Sequence, residues 1–537
     1  MTVPTGMPRH PPIVTWKSCG EASGHPLECT SITVPMDHFD ASHRNSKVFR
    51  IPLIRLRGGE HATMNLLLNP GGPGGSGLRM LRRRGSQLRQ VVGDGVHLLS
   101  FDPRGVGDSV PQGVCYPNNE VKGRLSSVRT QDAVHDSPEM YGWAKAFVQA
   151  CKDTMGEHGA YLTTPQTAAD MNSILDAVSQ RELLYWGFSY GAILGQTYAQ
   201  MFPERSTRVV IDGVSSIFHW YGVESDRVHY TDAENTLRGF FSECIKAKED
   251  CRLSEFGDTE DQLYGLIMDL GGRLKEMPMS VYVNNTAWGL LSFQNLFFNG
   301  ILPALYRPIK WYDLAQNLAA LLEGNATGAW QAYGEHQAFD AGDDSSDFIV
   351  NNDARSGPAY WTQDRMELLD DTILPIVNSS IFGPSKNLEY YIEQQWIVER
   401  TSDFVPKRNV RTAHPMLILS MMTDPVSPLL SATTTQQVFE DSRLVEIKGY
   451  GHCSVSVTST CAAKHIRAFL HHGTVPNERH TTCEVDEPYF VAAEEDEDFL
   501  TRRTLGRSHE DTLYRALEAL ARQWEWTVRS HRLPIPM

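Results

Sequence analysis

The chain has 537 residues, 41% hydrophobic and 21% charged, which is ordinary globular usage and enough apolar material for a large core. Its 49 Lys and Arg against 65 Asp and Glu leave a net charge of −16, so the molecule repels polyanions and nucleic acid is not an expected partner. No run approaches the roughly 18 consecutive apolar residues that a spanning helix requires, so no membrane segment is expected either.

The opening stretch, MTVPTGMPRHPPIVTW, carries prolines and no apolar h-region. That favours the cytoplasm for the chain as it stands, or secretion if a leader has been removed. In the first half, VFRIPLIRL, MNLLLN, VHLLSF and LLYWGF read as strands, with TAADMNSILDAVSQ a helix ahead of the last and RVVIDGV a further strand beyond it. Buried runs alternating with helices imply a mostly parallel sheet flanked on both faces, hence an α/β fold. From about residue 215 to 411 the pattern becomes mainly helical, as in ENTLRGFFSECIKA and YDLAQNLAALLEG. The alternation resumes with PMLILSMMTD, LLSATTTQQVFED and SRLVEIKGYGH. The domain reading is therefore a core in two parts, 1–214 and 412–485, interrupted by a helical cap at 215–411 that sits above the strand ends. Residues 486–537 hold an acidic linker, AAEEDEDF, and then a helix whose Leu513, Leu517, Leu520 and Trp524 form one apolar stripe suited to docking on the body.

Three pairs of cysteines, Cys19 with Cys29, Cys115 with Cys151 and Cys244 with Cys251, lie close enough in sequence to be disulfides in an oxidising compartment. Cys453, Cys461 and Cys483 make the total odd. Sequons at Asn284, Asn325 and Asn378 point weakly the same way. No C-x-x-C or H-x-x-x-H cluster suggests a metal, and no cofactor is expected.

The chemistry is concentrated in a few places. WGFSYGAILG puts Ser189 between Gly187 and Gly191, directly after a strand and before a helix, the context of a nucleophile elbow. A serine nucleophile needs a base, and the base needs an orienting acid. Asp424 and His452 end two consecutive strands after the nucleophile, in the order that this arrangement requires. NPGGPGGSG, residues 69–77, lacks the endings of a nucleotide-binding loop and suits an oxyanion hole, with Gly72 the first choice of donor, Gly71 the second, and the Tyr190 N–H opposite. LRRRG, around Arg82 to Arg84, reads as an exposed helix face or a lure for an anionic substrate.

Together NPGGPGGSG, FDPRGVGDS, GFSYG, FPERSTRVVIDGV, TDPVSP and GYGHCS resemble the α/β-hydrolase serine peptidases of the prolyl iminopeptidase and tripeptidyl aminopeptidase type, in order from about Trp16 to Cys483. The region from Asp424 to Cys483 resembles that family's tripeptidyl-aminopeptidase-like C-terminal part. The resemblance implies an α/β-hydrolase fold, a Ser189–His452–Asp424 triad, oxyanion contacts from the Gly71–Gly72 turn, and a substrate-selecting cap. It also implies cap carboxylates that bind a free N-terminal amine, for which Glu224, Asp226, Asp232 and Glu234 are candidates, Glu224 being named for substrate binding. Secreted members carry similar cysteine pairs. Two departures stand out: Phe188 occupies a position usually held by glycine or alanine, which makes it a pocket-shaping candidate, and the tail beyond Cys483 is long. The expected activity is an exopeptidase releasing N-terminal residues or short peptides through an acyl-enzyme. The alternative is a hydrolase or acyltransferase of small esters, lactones, thioesters or amides, for example in secondary metabolism. A catalytically dead binding protein is the remaining reading, and the complete set of nucleophile, acid, base and glycine turn argues against it.

Overall fold

The computed structural model describes residues 14–40, 47–130, 132–223, 230–334, 343–491 and 509–526. Its central feature is a ten-stranded sheet built from β1 (Lys17–Ala22), β2 (His25–Pro35), β3 (Val48–Leu56), β4 (Asn65–Asn69), β5 (His97–Phe101), β6 (Leu183–Phe188), β7 (Ser206–Asp212), β10 (Leu417–Thr423), β11 (Arg443–Tyr450) and β12 (His480–Glu484). The spatial order is β1-β2-β3-β5-β4-β6-β7-β10-β11-β12. The edge from β1 through β3 to β5 pairs antiparallel, and from β5 onward every pairing is parallel. This is the α/β-hydrolase arrangement expected from the sequence.

Strand alternation divides the core in two. On β6, Leu183 and Tyr185 face one side while Leu184, Trp186 and Phe188 face the other. On β4 the same period separates Leu67 from Leu66 and Leu68. The first face is covered by the helices Ser137–Met155, Thr164–Ala177 and Tyr190–Met201 through Met140, Phe147, Ile174 and Tyr198. The second is covered by Gly77–Val92 and Thr460–His472 through Leu81, Leu88, Ile466 and Phe469. Both faces are dry, which is why the strands read as nearly continuous apolar runs.

Boundaries moved where capping chemistry decided them. The helix expected to begin at Thr167 starts at Thr164, because the Thr163 hydroxyl accepts from Gln166 N–H and Pro165 fits the first turn. β1, β2 and β12 add strands that the apolar pattern did not announce.

Between β7 and β10 the chain is mainly helical, with Ala233–Ala247, Glu260–Glu276 and Trp311–Leu322 gathered round their own aromatic and leucine core. One hairpin, β8 (Met279–Asn284) with β9 (Ala287–Leu291), interrupts this helical block. The later part of the segment behaves differently: Phe348, Tyr390, Tyr391 and Trp396 join the core on the first face of the main sheet. Tyr391 Oη and Ser137 Oγ hydrogen-bond at 2.6 Å across that junction. The segment is thus half separate lobe and half cladding of the sheet. Among the described residues, no helix is long and apolar enough to cross a membrane. The acidic run AAEEDEDF lies outside the described residues.

Four disulfides join Cys19 to Cys29, Cys115 to Cys151, Cys244 to Cys251 and Cys461 to Cys483. The first three are the pairs suggested by spacing, and the fourth ties the helix Thr460–His472 to β12. Cys461, His465 and Cys483 cluster closely enough to resemble a metal site, but both thiols are consumed by the disulfide. Cys453 alone is free, and it is buried. A thiol titration is therefore expected to find no reactive cysteine in the native protein, one after denaturation without reductant, and all nine after reduction.

Candidate active site

Parallel pairing sets the site. β4 and β6 are neighbours in register, Asn69 opposite Gly187, so the glycine turn after β4 meets the turn after β6. β7, β10 and β11 follow in the sheet, and their carboxyl ends deliver Asp212, Asp424 and His452 to the same edge. Ligand sites in open α/β sheets form at such strand ends.

Ser189 has φ 56° and ψ −121°, a backbone geometry that L-residues avoid. The flanking glycines make it possible by leaving space. A Cβ at Gly187 would lie 2.3 Å from the Gly191 carbonyl oxygen, and one at Gly191 would lie 2.8 Å from the Asn69 carbonyl oxygen. The Ser189 side chain is partly exposed while its neighbours on both sides are buried. The sharp turn thus holds the hydroxyl out at the strand end.

His452 and Asp424 are 1% and 0% exposed. Imidazole Nδ1 lies 2.8 Å from Asp424 Oδ2 and 3.0 Å from Oδ1. A carboxylate only accepts, so Nδ1 carries the proton and Nε2 is left as the acceptor. Asp424 is itself anchored, because Oδ1 accepts the N–H groups of Val426 and Ser427, each at 2.9 Å. Nε2 is buried and has no hydrogen-bond partner among the described residues. No hydrogen bond joins Nε2 to the Ser189 hydroxyl.

Asp212 joins the two halves. Its carbonyl accepts from Ser189 N–H at 2.8 Å and from the Cys453 thiol at 3.3 Å. Its carboxylate accepts from Ser454 N–H at 2.8 Å, from the Ser454 hydroxyl at 2.6 Å and from Trp186 Nε1 at 3.2 Å. Burial lifts the Asp212 carboxyl to about 6, against those hydrogen bonds, which pull it down. The same burial, with the Asp212 and Asp424 charges, pushes the Cys453 thiol well up, so this cysteine is no competing nucleophile. On the insertion side, the Tyr306 carbonyl accepts from His452 N–H at 3.0 Å.

The alpha/beta hydrolase fold family matches residues 65–241, and the TAP-like protein family matches residues 386–483. Over most of its length the chain is similar to a tripeptidyl aminopeptidase of Streptomyces lividans, 25% identical over 88% of this chain and 86% of the relative. It is also similar to the serine protease Hip1 of Mycobacterium tuberculosis, 24% identical over 83% of this chain and 86% of the relative. A carboxylesterase B of Mycobacterium tuberculosis is 23% identical over 88% of this chain and 90% of the relative. The chain is a serine hydrolase of the α/β-hydrolase fold.

In this hydrolase the residues named from sequence fall into three groups. Ser189, Asp424, His452, Gly72 and Tyr190 meet at one edge of the sheet. Gly71 is there too, but not as a donor: its N–H is spent on Asn69 Oδ1 at 3.0 Å. Its role is close approach, since a Cβ at Gly71 would sit 2.2 Å from the Phe188 carbonyl oxygen and 3.0 Å from Ser189 Cβ. Phe188 does not shape the pocket. It is 0% exposed and packs between Trp186 and Trp524, because the strand alternation turns it into the second core face. Glu224 and Asp226 lie outside the described residues. Asp232 and Glu234 begin the helix Ala233–Ala247, where Glu234 accepts from the Tyr264 hydroxyl at 2.6 Å and is thereby committed within the insertion.

Sequence reasoning missed Asp212, although RVVIDGV ends a strand at the same edge as the two residues it did select. It also missed DDSSD, the start of the helix Ser345–Asp353, which lies against the glycine turn: a Cβ at Gly74 would be 3.4 Å from Ser345 Oγ. Asp343 here accepts from Gly107 N–H at 2.8 Å, and burial raises its carboxyl above the usual range.

Two outcomes follow from this geometry. Gly71→Ala must push the turn off Ser189, and a loss of roughly 10²-fold in kcat/KM is expected, the scale of a disturbed oxyanion hole. Asp212 binds a proton more tightly folded than unfolded, so its contribution to stability is full below about pH 4 and is lost as pH rises through about 6. Relative to wild type, Asp212→Asn is therefore expected to be most destabilised near pH 4, with the deficit shrinking by about 2 kcal/mol by pH 7 in urea unfolding.

Proposed function

We propose that Ser189 is the nucleophile, His452 the general base and Asp424 its orienting acid, in an exopeptidase that releases N-terminal residues or short peptides. The observation that carries this reading is the doubly bonded Asp424–His452 pair, with Nε2 left unpartnered at the sheet edge where Ser189 is held in its turn. His452 takes the Ser189 proton as the hydroxyl attacks an acyl carbonyl. The N–H groups of Gly72 and Tyr190 receive the oxyanion, the leaving group departs with the proton from His452, and water releases the acyl-enzyme by the same path. Asp424 holds the tautomer and balances the imidazolium.

Three features favour a peptide with a free N-terminus as the acyl donor. The relatives named tripeptidyl aminopeptidase and serine protease align with most of the chain. Asp343 adjoins Ser345, which packs at Gly74 of the glycine turn; its oxygens accept from Gly107 N–H and from Ser345, yet burial still raises its carboxyl, a cost that a nearby ammonium would relieve. Four disulfides suit a protein that matures in an oxidising compartment, where extracellular peptides are met. The carboxylesterase relative supports the second reading, an ester or small-amide hydrolase using the same residues.

Aminoacyl and tripeptidyl chromogenic amides, assayed beside simple esters, distinguish the two. Turnover of amides only when the N-terminus is free supports the exopeptidase, and turnover of esters alone supports the second reading. In either case Ser189→Ala is expected to lose roughly 10⁴- to 10⁶-fold in kcat, and Asp424→Asn roughly 10⁴-fold. Activity surviving in Ser189→Ala, or no labelling of the wild type by a fluorophosphonate, defeats the assignment.

A further inference from the structure

The tail that follows the acidic run returns to the active site. Its helix, His509–Gln523, packs Leu513, Leu517 and Leu520 into the second core face beside Gly77–Val92. The helix end is then fixed by two cations. Arg84, from LRRRG, donates through Nε to the Gln523 carbonyl at 2.9 Å and lies 5.1 Å over the Trp524 ring. Arg307, which follows Tyr306, donates to the Arg522 carbonyl at 2.7 Å. The last carbonyls of a helix have no partner of their own and carry the negative end of its dipole, so two guanidiniums form a strong stop. Glu525 adds ion pairs at 3.4 Å to Arg83 and 3.8 Å to Arg84. Arg84 is thus an anchor for the tail, neither an exposed helix face nor a lure for substrate.

Beyond this stop the chain delivers Trp526 to the catalytic base. Its ring centroid is 4.6 Å from that of His452, and Tyr306 meets the same imidazole edge-on at 5.3 Å. Trp526 Nε1 is buried with no hydrogen-bond partner among the described residues, as is His452 Nε2. An unpaired donor and an unpaired acceptor, both cut off from water on adjoining rings, mark a place that a bound group completes.

In serine hydrolysis Nε2 of the base returns its proton to the leaving group, so a ring packed on the imidazole with its own polar atom open beside Nε2 borders the space the departing atoms occupy. We infer that Trp526 walls the leaving-group side of the site and makes this hydrolase selective for compact leaving groups, short peptides or small alcohols and amines, over polypeptides. The inference rests on the roles proposed for Ser189 and His452.

The test holds the acyl part constant and varies what departs. kcat/KM is measured on the full chain for one substrate with a compact amide or ester leaving group and for one whose scissile bond is followed by a long peptide. Wild type is expected to favour the compact substrate by about ten-fold or more. Trp526→Ala is expected to erase most of that preference by raising kcat/KM for the long substrate, while Trp526→Phe stays within about two-fold of the wild-type ratio. If the alanine variant fails to fold, the same ratio is read in Trp526→Leu. A preference absent from wild type, or a ratio unchanged in the small-side-chain variant because both substrates fall together, overturns the inference and leaves the tail a packing element. Failure of the underlying reading looks different: Ser189→Ala would then keep its turnover whatever the ratio.

Discussion

The site depends on one backbone carbonyl. Asp212 O accepts the amide of Ser189 and the thiol of Cys453, residues 264 positions apart, and so fixes the distance between the Ser189 turn and the loop carrying His452. Its carboxylate repeats the constraint through Ser454. β7 can do this because it lies between β6 and β10 in the parallel order, where its end is equally near both. A charged group is expensive in such a place, and the raised carboxyl records that cost. What it contributes is a rigid link between parts of the chain that the insertion has separated.

Around that link the molecule is layered by what each part must resist. The sheet is buried on both faces, so its strands are fixed by packing as well as by their backbone ladders. The insertion adds a lobe with its own core, and the Leu302–Tyr306 helix of that lobe reaches down so that the Tyr306 carbonyl takes the His452 amide. His452 is consequently held from three directions, by Asp424 at Nδ1, by Tyr306 at the backbone and by Trp526 across the ring. Of its two ring nitrogens, Nε2, the atom proposed to exchange a proton, is unbonded among the described residues.

Much of this was legible in the sequence because the relevant signals are local. Ser189 stands between two glycines at a strand end, and Asp424 and His452 close consecutive apolar runs. Strand period and order then bring them to one edge. The three local cysteine pairs were readable for the same reason, since short loops bring their ends together. What escaped reading depends on tertiary contact. Phe188 reads as a pocket residue because it adjoins Ser189, yet the two-residue period of β6 sends it to the opposite face. Gly71 reads as a donor in sequence, but in the fold Asn69 takes its N–H. Arg84 reads as solvated until a helix more than 400 residues away brings its carbonyls to it. Asp212 carried a usable signal, a strand-end acid at the right edge, which two better-known partners overshadowed.

The tail's position also bears on the order in which the molecule is made. Ser189, Asp424 and His452 are all translated before Trp526, so a growing chain acquires the proposed triad ahead of the indole that covers one flank. Until the tail helix has docked, Phe188 lacks one of the two rings that pack on it and Arg84 lacks the Gln523 carbonyl. Docking of that helix thereby finishes both the second face of the core and one flank of the site.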